Sequence, residues 1–240
     1  MNSTQTVGAA SGMRLLMSTA LLLLFVTQSW AGSYSFTNSS AISINDTGSP
    51  PTVADLYPST ISIAGVDSGE TITHVSVTLY GLTHTYPSDL DIVLEGPGGQ
   101  LSMLMSQVGG TATKLPVSNL TLTLDDSAAN SLPLDSALTS GTFKPTRLNP
   151  TLPFEFSNPA PAGSANAPAT LSVFNGANPN GTWSLFVLDD SSPDSGSIPL
   201  GWSMNVETIP EPGTVGMAVV GLGCLAALRF RRGNERNNRS

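Results

Sequence analysis

Residues 90–99 read LDIVLEGPGG, an alternating apolar segment followed at once by turn residues. Leu90, Ile92 and Leu94 fall on one side of an extended chain, because successive side chains of a β-strand point to opposite faces. Asp91 falls on the other side. The Gly-Pro-Gly-Gly that follows favours a turn, since glycine tolerates positive φ and proline presets a negative φ. The segment therefore predicts a strand with one apolar face that ends in a tight turn.

The same alternation recurs along residues 33–208, with almost no helical period. Further strands are predicted at residues 61–63, 75–79, 101–105, 120–124, 171–174, 183–188 and 202–206. Turns rich in Gly, Pro, Asn and Asp separate them. Many short strands with such turns predict an all-β sandwich. Residues 143–168, rich in Pro, Ala and Asn, predict a long surface loop.

Charge divides the 240-residue chain into an acidic body and two basic ends. Residues 32–208 contain Lys114, Lys144 and Arg147 against fifteen Asp and Glu, a net charge of −12, whereas the whole chain carries −8. This balance argues against a nucleic-acid partner. The single cysteine, Cys224, excludes an intrachain disulfide, and with it a Cys/His zinc site.

Residues 1–31 carry the parts of a secretory signal peptide. Arg14 precedes the apolar run of residues 15–26, and Ala31 ends a small-residue site of the A-x-A type, so we expect signal peptidase to cleave after Ala31. The chain is then exported through the inner membrane. An uncleaved N-terminal anchor is the alternative, and translation can start at Met13 as well as at the first residue.

The chain ends in an apolar segment followed by arginines. As a helix, residues 213–228 would be about 24 Å long, somewhat shorter than a hydrocarbon core of about 30 Å. Arg229 can snorkel to the interface, which makes a span feasible. The basic cluster of Arg229, Arg231 and Arg232 puts that end in the cytoplasm by the positive-inside rule. One short C-terminal transmembrane helix is predicted, and a helix buried in the body is the alternative.

Pro210, Glu211 and Pro212 stand just before this segment. In order, this motif, the Gly/Ala-rich apolar segment and the arginine cluster resemble the PEP-CTERM sorting signal of Gram-negative bacteria. The signal would span residues 209–233, leaving a basic polar tail at 234–240. The resemblance implies an exosortase, a membrane protease that cleaves near the motif, in bacteria that make exopolysaccharide. The prolines also keep the backbone extended, as a protease cleft requires.

Two blocks of the body carry a second resemblance. They contain, in order, His-Thr-Tyr at 84–86, Asp-Leu at 89–90, Pro-Asn-Gly-Thr-Trp at 179–183 and Gly-Trp-Ser at 201–203. These motifs resemble the P domain that follows the catalytic domain in proprotein convertases and many bacterial subtilisin-like proteases. The resemblance spans about residues 35–207 and implies a jelly-roll β-sandwich over residues 33–208. Trp183 and Trp202 have the size to fill its core, and each indole N–H needs a partner when buried.

Catalytic residues are not expected, and the protein is predicted not to be an enzyme. A serine nucleophile needs a base within reach, and the only histidines are His74 and His84. His74 is expected on the solvent face of a strand, and the resemblance implies a structural role for His84. No Gly-x-Ser-x-Gly motif occurs. A hydrolase that uses His84 remains an alternative.

Calcium is the one possible cofactor. The candidate ligands are Asp89, Asp91, Asp189, Asp190 and Asp194, because Ca²⁺ prefers clustered carboxylate oxygens in loops. Asp89 and Asp91 are two residues apart, so both can point to one side. Members of the resembled family often hold calcium near such loops. Solvated acidic loops are the alternative.

The sequence thus predicts an exported protein that is tethered by its C-terminus and then cell-surface or extracellular. A non-catalytic interaction or matrix component, in contact with exopolysaccharide or a surface protein, is the favoured function. The competing function is an accessory module that assists or regulates a separate subtilisin-like protease. Glycan binding is a further candidate function, because jelly-roll folds also occur in lectins. Tyr57, Tyr80 or Tyr86 could then stack on sugars, but this rests on fold analogy alone.

Overall fold

The structure is a computed structural model that describes residues 31–45, 49–110, 112–149 and 155–210, together with Gly221 and Gly223. Apart from these two helical glycines, the described residues form thirteen strands and three short 3-10 helices. The strands are β1 (Gly32–Asn38), β2 (Ile42–Asn45), β3 (Thr52–Val53), β4 (Ser59–Ile63), β5 (Glu70–His84), β6 (Leu90–Glu95), β7 (Leu101–Ser106), β8 (Val117–Asp125), β9 (Gly141–Phe143), β10 (Thr146–Arg147), β11 (Gly181–Asp189), β12 (Ser195–Ile198) and β13 (Trp202–Pro210). The 3-10 helices are Pro87–Asp89, Ser164–Asn166 and Leu171–Phe174. The expected all-β class is confirmed for these residues.

The strands form two sheets. In the first, the order is β1-β13-β5-β12-β2, and β8 pairs with β5 while β9 pairs with β8. In the second, the order is β10-β7-β6-β11-β3, and β4 also pairs with β11. Neighbours are antiparallel except for the β8–β9 and β7–β10 pairs. After β5, the longest strand, the chain crosses from the first sheet to β6 in the second sheet.

One hydrophobic core joins the inner faces of both sheets. The predicted inward residues of β5 and β6 are at most 1% exposed: Val75, Val77, Leu79, Leu90, Ile92 and Leu94. Trp183 and Trp202 are fully buried within it, and each burial of a large apolar side chain contributes about 1.5–3 kcal/mol. Their indole N–H groups donate to the carbonyl of Pro179 and to Oγ of Ser59, both at 3.0 Å.

A second, smaller core covers the outer face of the second sheet. Val93 of β6 and Phe186 of β11 point away from the first core and pack with Phe156 and Ala165. The expectation of a long surface loop over residues 143–168 is therefore wrong in part. Phe156, Ala160, Ala165 and Ala167 are buried there and cover apolar surface that the sheet would otherwise expose to water.

Arg147 holds residues 155–170, which we call the covering segment, against the second sheet. Its guanidinium donates hydrogen bonds to the carbonyls of Asn149 (2.6 Å), Ala165 (2.9 Å) and Ala167 (2.8 Å). The planar fork of arginine suits several fixed acceptors at once. The side chain of the last residue of β10 thus ties the covering segment to the second sheet.

The strand predicted at residues 171–174 is a 3-10 helix instead. The carboxylate of Asp126 accepts the N–H groups of Leu171 (3.0 Å) and Ser172 (2.8 Å), as well as the Thr170 hydroxyl. Hydrogen bonds from backbone to side chain compete with the strand ladder. The apolar run still serves the core, because Leu171 and Phe174 are buried.

The register of the first sheet places Gly32 and Pro210, the first residue of β1 and the last of β13, at one end of the two-sheet body. Gly32 of β1 pairs with Thr208 of β13, and Pro210 of β13 pairs with Glu70 at the start of β5. From Glu70, β5 runs 15 residues to His84 at the opposite end. We call the first the terminal end and the second the distal end.

Most of the predicted targeting residues lie outside the described part of the chain. This applies to residues 1–30, to Glu211 and Pro212, and to the basic cluster of Arg229, Arg231 and Arg232. Pro210 is described and is the last residue of β13, in extended conformation. Among the described residues, no helix has the length and apolar character needed to cross a membrane.

Candidate functional site

Two loops meet at the distal end. The first follows β5 and contains the 3-10 helix Pro87–Asp89, and the second follows β11. Leu90 pairs with Asp189 where β6 begins and β11 ends, and the N–H of Asp190 donates to the carbonyl of Asp89 at 2.8 Å. Strand pairing therefore brings together acidic residues about a hundred positions apart.

Asp89, Asp189 and Asp190 form a group that we call the carboxylate cluster. Each offers one oxygen, and these oxygens all lie within 4.8 Å of one another. Asp189 is fully buried, Asp89 is 7% exposed and Asp190 is half-buried. Oδ2 of Asp89 is buried without a hydrogen-bond partner. Such a group carries a desolvation cost that a cation would offset.

Burial and mutual repulsion raise the pKa values of two carboxyl groups in the cluster. Burial, together with the charges of Asp190 and Asp189, raises the pKa of Asp89 to about 7. Burial and the charge of Asp189 raise the pKa of Asp190 to about 6. Like charges held close together disfavour ionisation unless a cation joins them.

His84 orients one member of the cluster. Its Nδ1 accepts the N–H of Tyr86 at 3.2 Å, so its Nε2–H donates to Oδ2 of Asp189 at 3.1 Å. The other oxygen of Asp189 accepts the N–H of Ser191 at 3.2 Å. The imidazole is fully buried, and each of its ring nitrogens has a hydrogen-bond partner. These hydrogen bonds place His84 to position the carboxylate of Asp189.

The cluster fits a calcium ion in donor type and in spacing. Oxygen ligands stand about 2.3–2.6 Å from Ca²⁺, so two of them are at most about 5.2 Å apart. The 4.8 Å limit among the three oxygens is within that distance. Ligating carboxylates are commonly fixed by second hydrogen bonds, as His84 and Ser191 fix Asp189.

Asp91 lies outside this group. It faces the outer side of the second sheet, directly across from Ser106 of β7, and is fully buried. Burial raises its pKa to about 8. Asp89 belongs to a 3-10 helix, so the strand alternation that would align it with Asp91 begins one residue later.

Asp194 is held by other partners. Nζ of Lys114 donates to its Oδ2 at 2.5 Å, and the Thr85 hydroxyl donates to its Oδ1 at 2.8 Å. Burial tends to raise the pKa of Asp194, but these hydrogen bonds outweigh it and hold the pKa below its ordinary value. Sequence reasoning missed Lys114, although it is one of only two lysines in a strongly acidic body.

The three tyrosines considered for sugar stacking all have partners within the fold. Tyr57 packs edge-on against Phe186, with ring centroids 5.1 Å apart. The hydroxyl of Tyr80 lies 2.9 Å from Oγ of Ser203. Tyr86 lies under the ammonium of Lys114. None of the three rings is fully exposed.

Comparison with known proteins adds no relative: no family model, curated protein or solved structure matches the chain. The distal end combines three converging carboxylates, a buried histidine that orients one of them, and a lysine bound to a fourth.

Proposed function

We propose that this chain is an exported, non-catalytic protein whose P-domain-like, jelly-roll body binds calcium at the carboxylate cluster. It acts outside the inner membrane as an interaction or matrix component associated with exopolysaccharide. A C-terminal sorting signal at residues 209–233 tethers it until an exosortase acts. The observation that carries the calcium-binding part is the convergence of Asp89, Asp189 and Asp190 around one point.

The unpartnered oxygen of Asp89 supports a cation at this point. A fully solvated acidic loop would leave its carboxylates in water, whereas Asp89 and Asp189 are nearly or completely buried. Buried carboxylates are paired, protonated or bound to metal. Calcium that binds the folded state but not the unfolded state would also stabilise the protein by mass action.

The placement of the chain ends supports a tethered arrangement. Gly32 and Pro210, from which the predicted signal peptide and sorting signal extend, share the terminal end. The carboxylate cluster lies at the distal end, beyond the 15 residues of β5. A body held at its terminal end would present the cluster away from the membrane.

The residues of the P-domain motifs have packing or orienting roles in this fold. His84 and Trp183 are fully buried, and Trp202 fills the same core as Trp183. All three act in packing or in orienting other groups. Such roles suit a module that binds, and they suit the accessory-module alternative equally well.

Intact mass and fractionation of the protein from its native cells test the targeting part. The proposal expects loss of residues 1–31, cleavage near Pro210-Glu211-Pro212, and recovery from the membrane or the extracellular matrix. Release from the matrix when polymer synthesis is blocked would support association with exopolysaccharide. Co-purification with a subtilisin-like protease would favour the accessory module. Recovery of an unprocessed chain from the cytosol would contradict the proposal.

A further inference from the structure

Lys114 pairs with Asp194, and its charge interacts with Asp89 of the carboxylate cluster. Its Nζ contacts Oδ2 of Asp194 at 2.5 Å and lies 5.2 Å from the ring centroid of Tyr86. The lysine side chain is 56% exposed, while that of Asp194 is only 6% exposed. The ammonium therefore reaches in from solvent to an otherwise buried carboxylate.

Asp194 lies in the loop that contains Asp190 and directly follows Asp189, the last residue of β11, and its charge helps to raise the pKa of Asp89. The hydrogen bond to Asp194 and the charges of Asp194 and Asp89 raise the pKa of Lys114, which keeps it protonated. A lysine ammonium is a compact point charge on a flexible stem, so it can leave an acceptor with little rearrangement of the fold.

We propose that Lys114 is a built-in competing cation that sets the calcium affinity of the carboxylate cluster. This inference rests on the proposed calcium binding. While its ammonium is bound, Lys114 repels a second cation from the cluster and withholds Asp194 as a ligand. Calcium binding draws Asp194 towards the metal and releases the lysine to solvent.

Removal of the lysine charge tests this directly in the full-length protein. In calcium titrations by calorimetry, Lys114→Gln should bind about tenfold more tightly than wild type, because one nearby unit charge acts across a partly buried site. Lys114→Arg keeps the charge and should bind like wild type. Lys144→Gln is the matched control, because Lys144 is the only other lysine and lies in the segment between β9 and β10. Its affinity should not change.

A double variant tests the role of Asp194. In Lys114→Gln/Asp194→Asn the tighter binding should be lost, because the carboxylate that the lysine releases is no longer present. If the double variant binds calcium as tightly as Lys114→Gln, then Lys114 acts only by charge repulsion, and a role of Asp194 as a released ligand is contradicted.

The two lysines also permit a measurement without any substitution. Acetylation of wild-type protein, followed by peptide mass analysis, should show Lys114 reacting several-fold faster in calcium, with Lys144 unchanged as the internal reference. Equal rates with and without calcium, together with unchanged affinity in Lys114→Gln, would overturn the inference while measured calcium binding left the proposed function intact. If neither wild type nor any variant binds calcium, both fail.

Discussion

The Nε2–H of His84 donates to Oδ2 of Asp189 at 3.1 Å, and this hydrogen bond joins the last residue of β5 to the last residue of β11. The two strands belong to different sheets. The contact therefore fastens the distal end of the sandwich and fixes one carboxylate of the cluster at the same time. If the cluster binds calcium as proposed, stability and calcium binding should be coupled through this contact.

His84→Ala should destabilise the protein by about 3 kcal/mol, because it leaves Oδ2 of the buried Asp189 carboxylate without a hydrogen-bond donor. Calcium affinity should fall by about tenfold or more, as is typical when a group that orients a ligand is lost. Urea unfolding and calorimetric titration measure the two effects. His74→Ala is the control, since His74 is 29% exposed and contacts Asp125 away from the cluster. Equal losses in both variants would contradict this coupling.

Calcium should raise the melting temperature. At a concentration of 100 times Kd, mass action contributes about 2.7 kcal/mol, or a rise of about 5–10 °C for a domain of this size. Asp89→Asn should abolish the rise by removing a ligand oxygen. Asp67→Asn removes an exposed carboxylate in the turn before β5, near the terminal end, and should leave the rise unchanged. A rise that survives in Asp89→Asn would place calcium elsewhere.

Arg147→Ala should release the covering segment from the second sheet. Three hydrogen bonds to backbone carbonyls are lost, so we expect a destabilisation of about 2–3 kcal/mol. Hydrogen exchange at residues 155–170 should become faster, while exchange in β5 changes little. Arg147→Lys keeps the charge but not the planar fork and should restore protection only in part. Unchanged exchange in Arg147→Ala would show that apolar packing alone holds the segment.

Gly196→Ala should disrupt the distal end by steric overlap. A Cβ at this position of β12 would overlap the carbonyl of Thr83 and the imidazole of His84 in the neighbouring strand. We expect a loss of about 3 kcal/mol and weaker calcium binding. Gly69→Ala is the matched control, because nothing lies within 4 Å of its added Cβ. A Gly196→Ala variant as stable as the control would show that β12 does not approach β5 this closely.

Asp125 should make stability depend on acidic pH. Burial tends to raise its pKa, but hydrogen bonds from Ser127 and His74 outweigh this and lower it. The ionised carboxylate thus stabilises the fold above about pH 4, and this contribution is lost as pH falls through the lowered folded-state value. Asp125→Asn should cost about 1 kcal/mol at pH 7 and little near pH 2.5, as measured by urea unfolding. Glu207→Gln, at an exposed position, should cost little at either pH.

Local alternation predicted the inner faces of the strands well. Val75, Val77 and Leu79 face the core as expected, because side-chain direction in a strand is a property of neighbouring residues. The same rule misjudged Leu171–Phe174, where a distant carboxylate, Asp126, stabilises a 3-10 turn. It also could not show that Asp91, on the polar face of β6, would be fully buried.

The sequence alone determined the all-β class, the acidic body and the side chains that fill the sandwich, because these follow from composition and from a period of two residues. Only the tertiary structure decided which carboxylates meet. Asp89 and Asp189 are brought together by pairing between β6 and β11, and Lys114 rather than a neighbour in sequence reaches Asp194. Pairing of distant strands depends on register and on burial of whole faces, and neither is visible in a short stretch of residues.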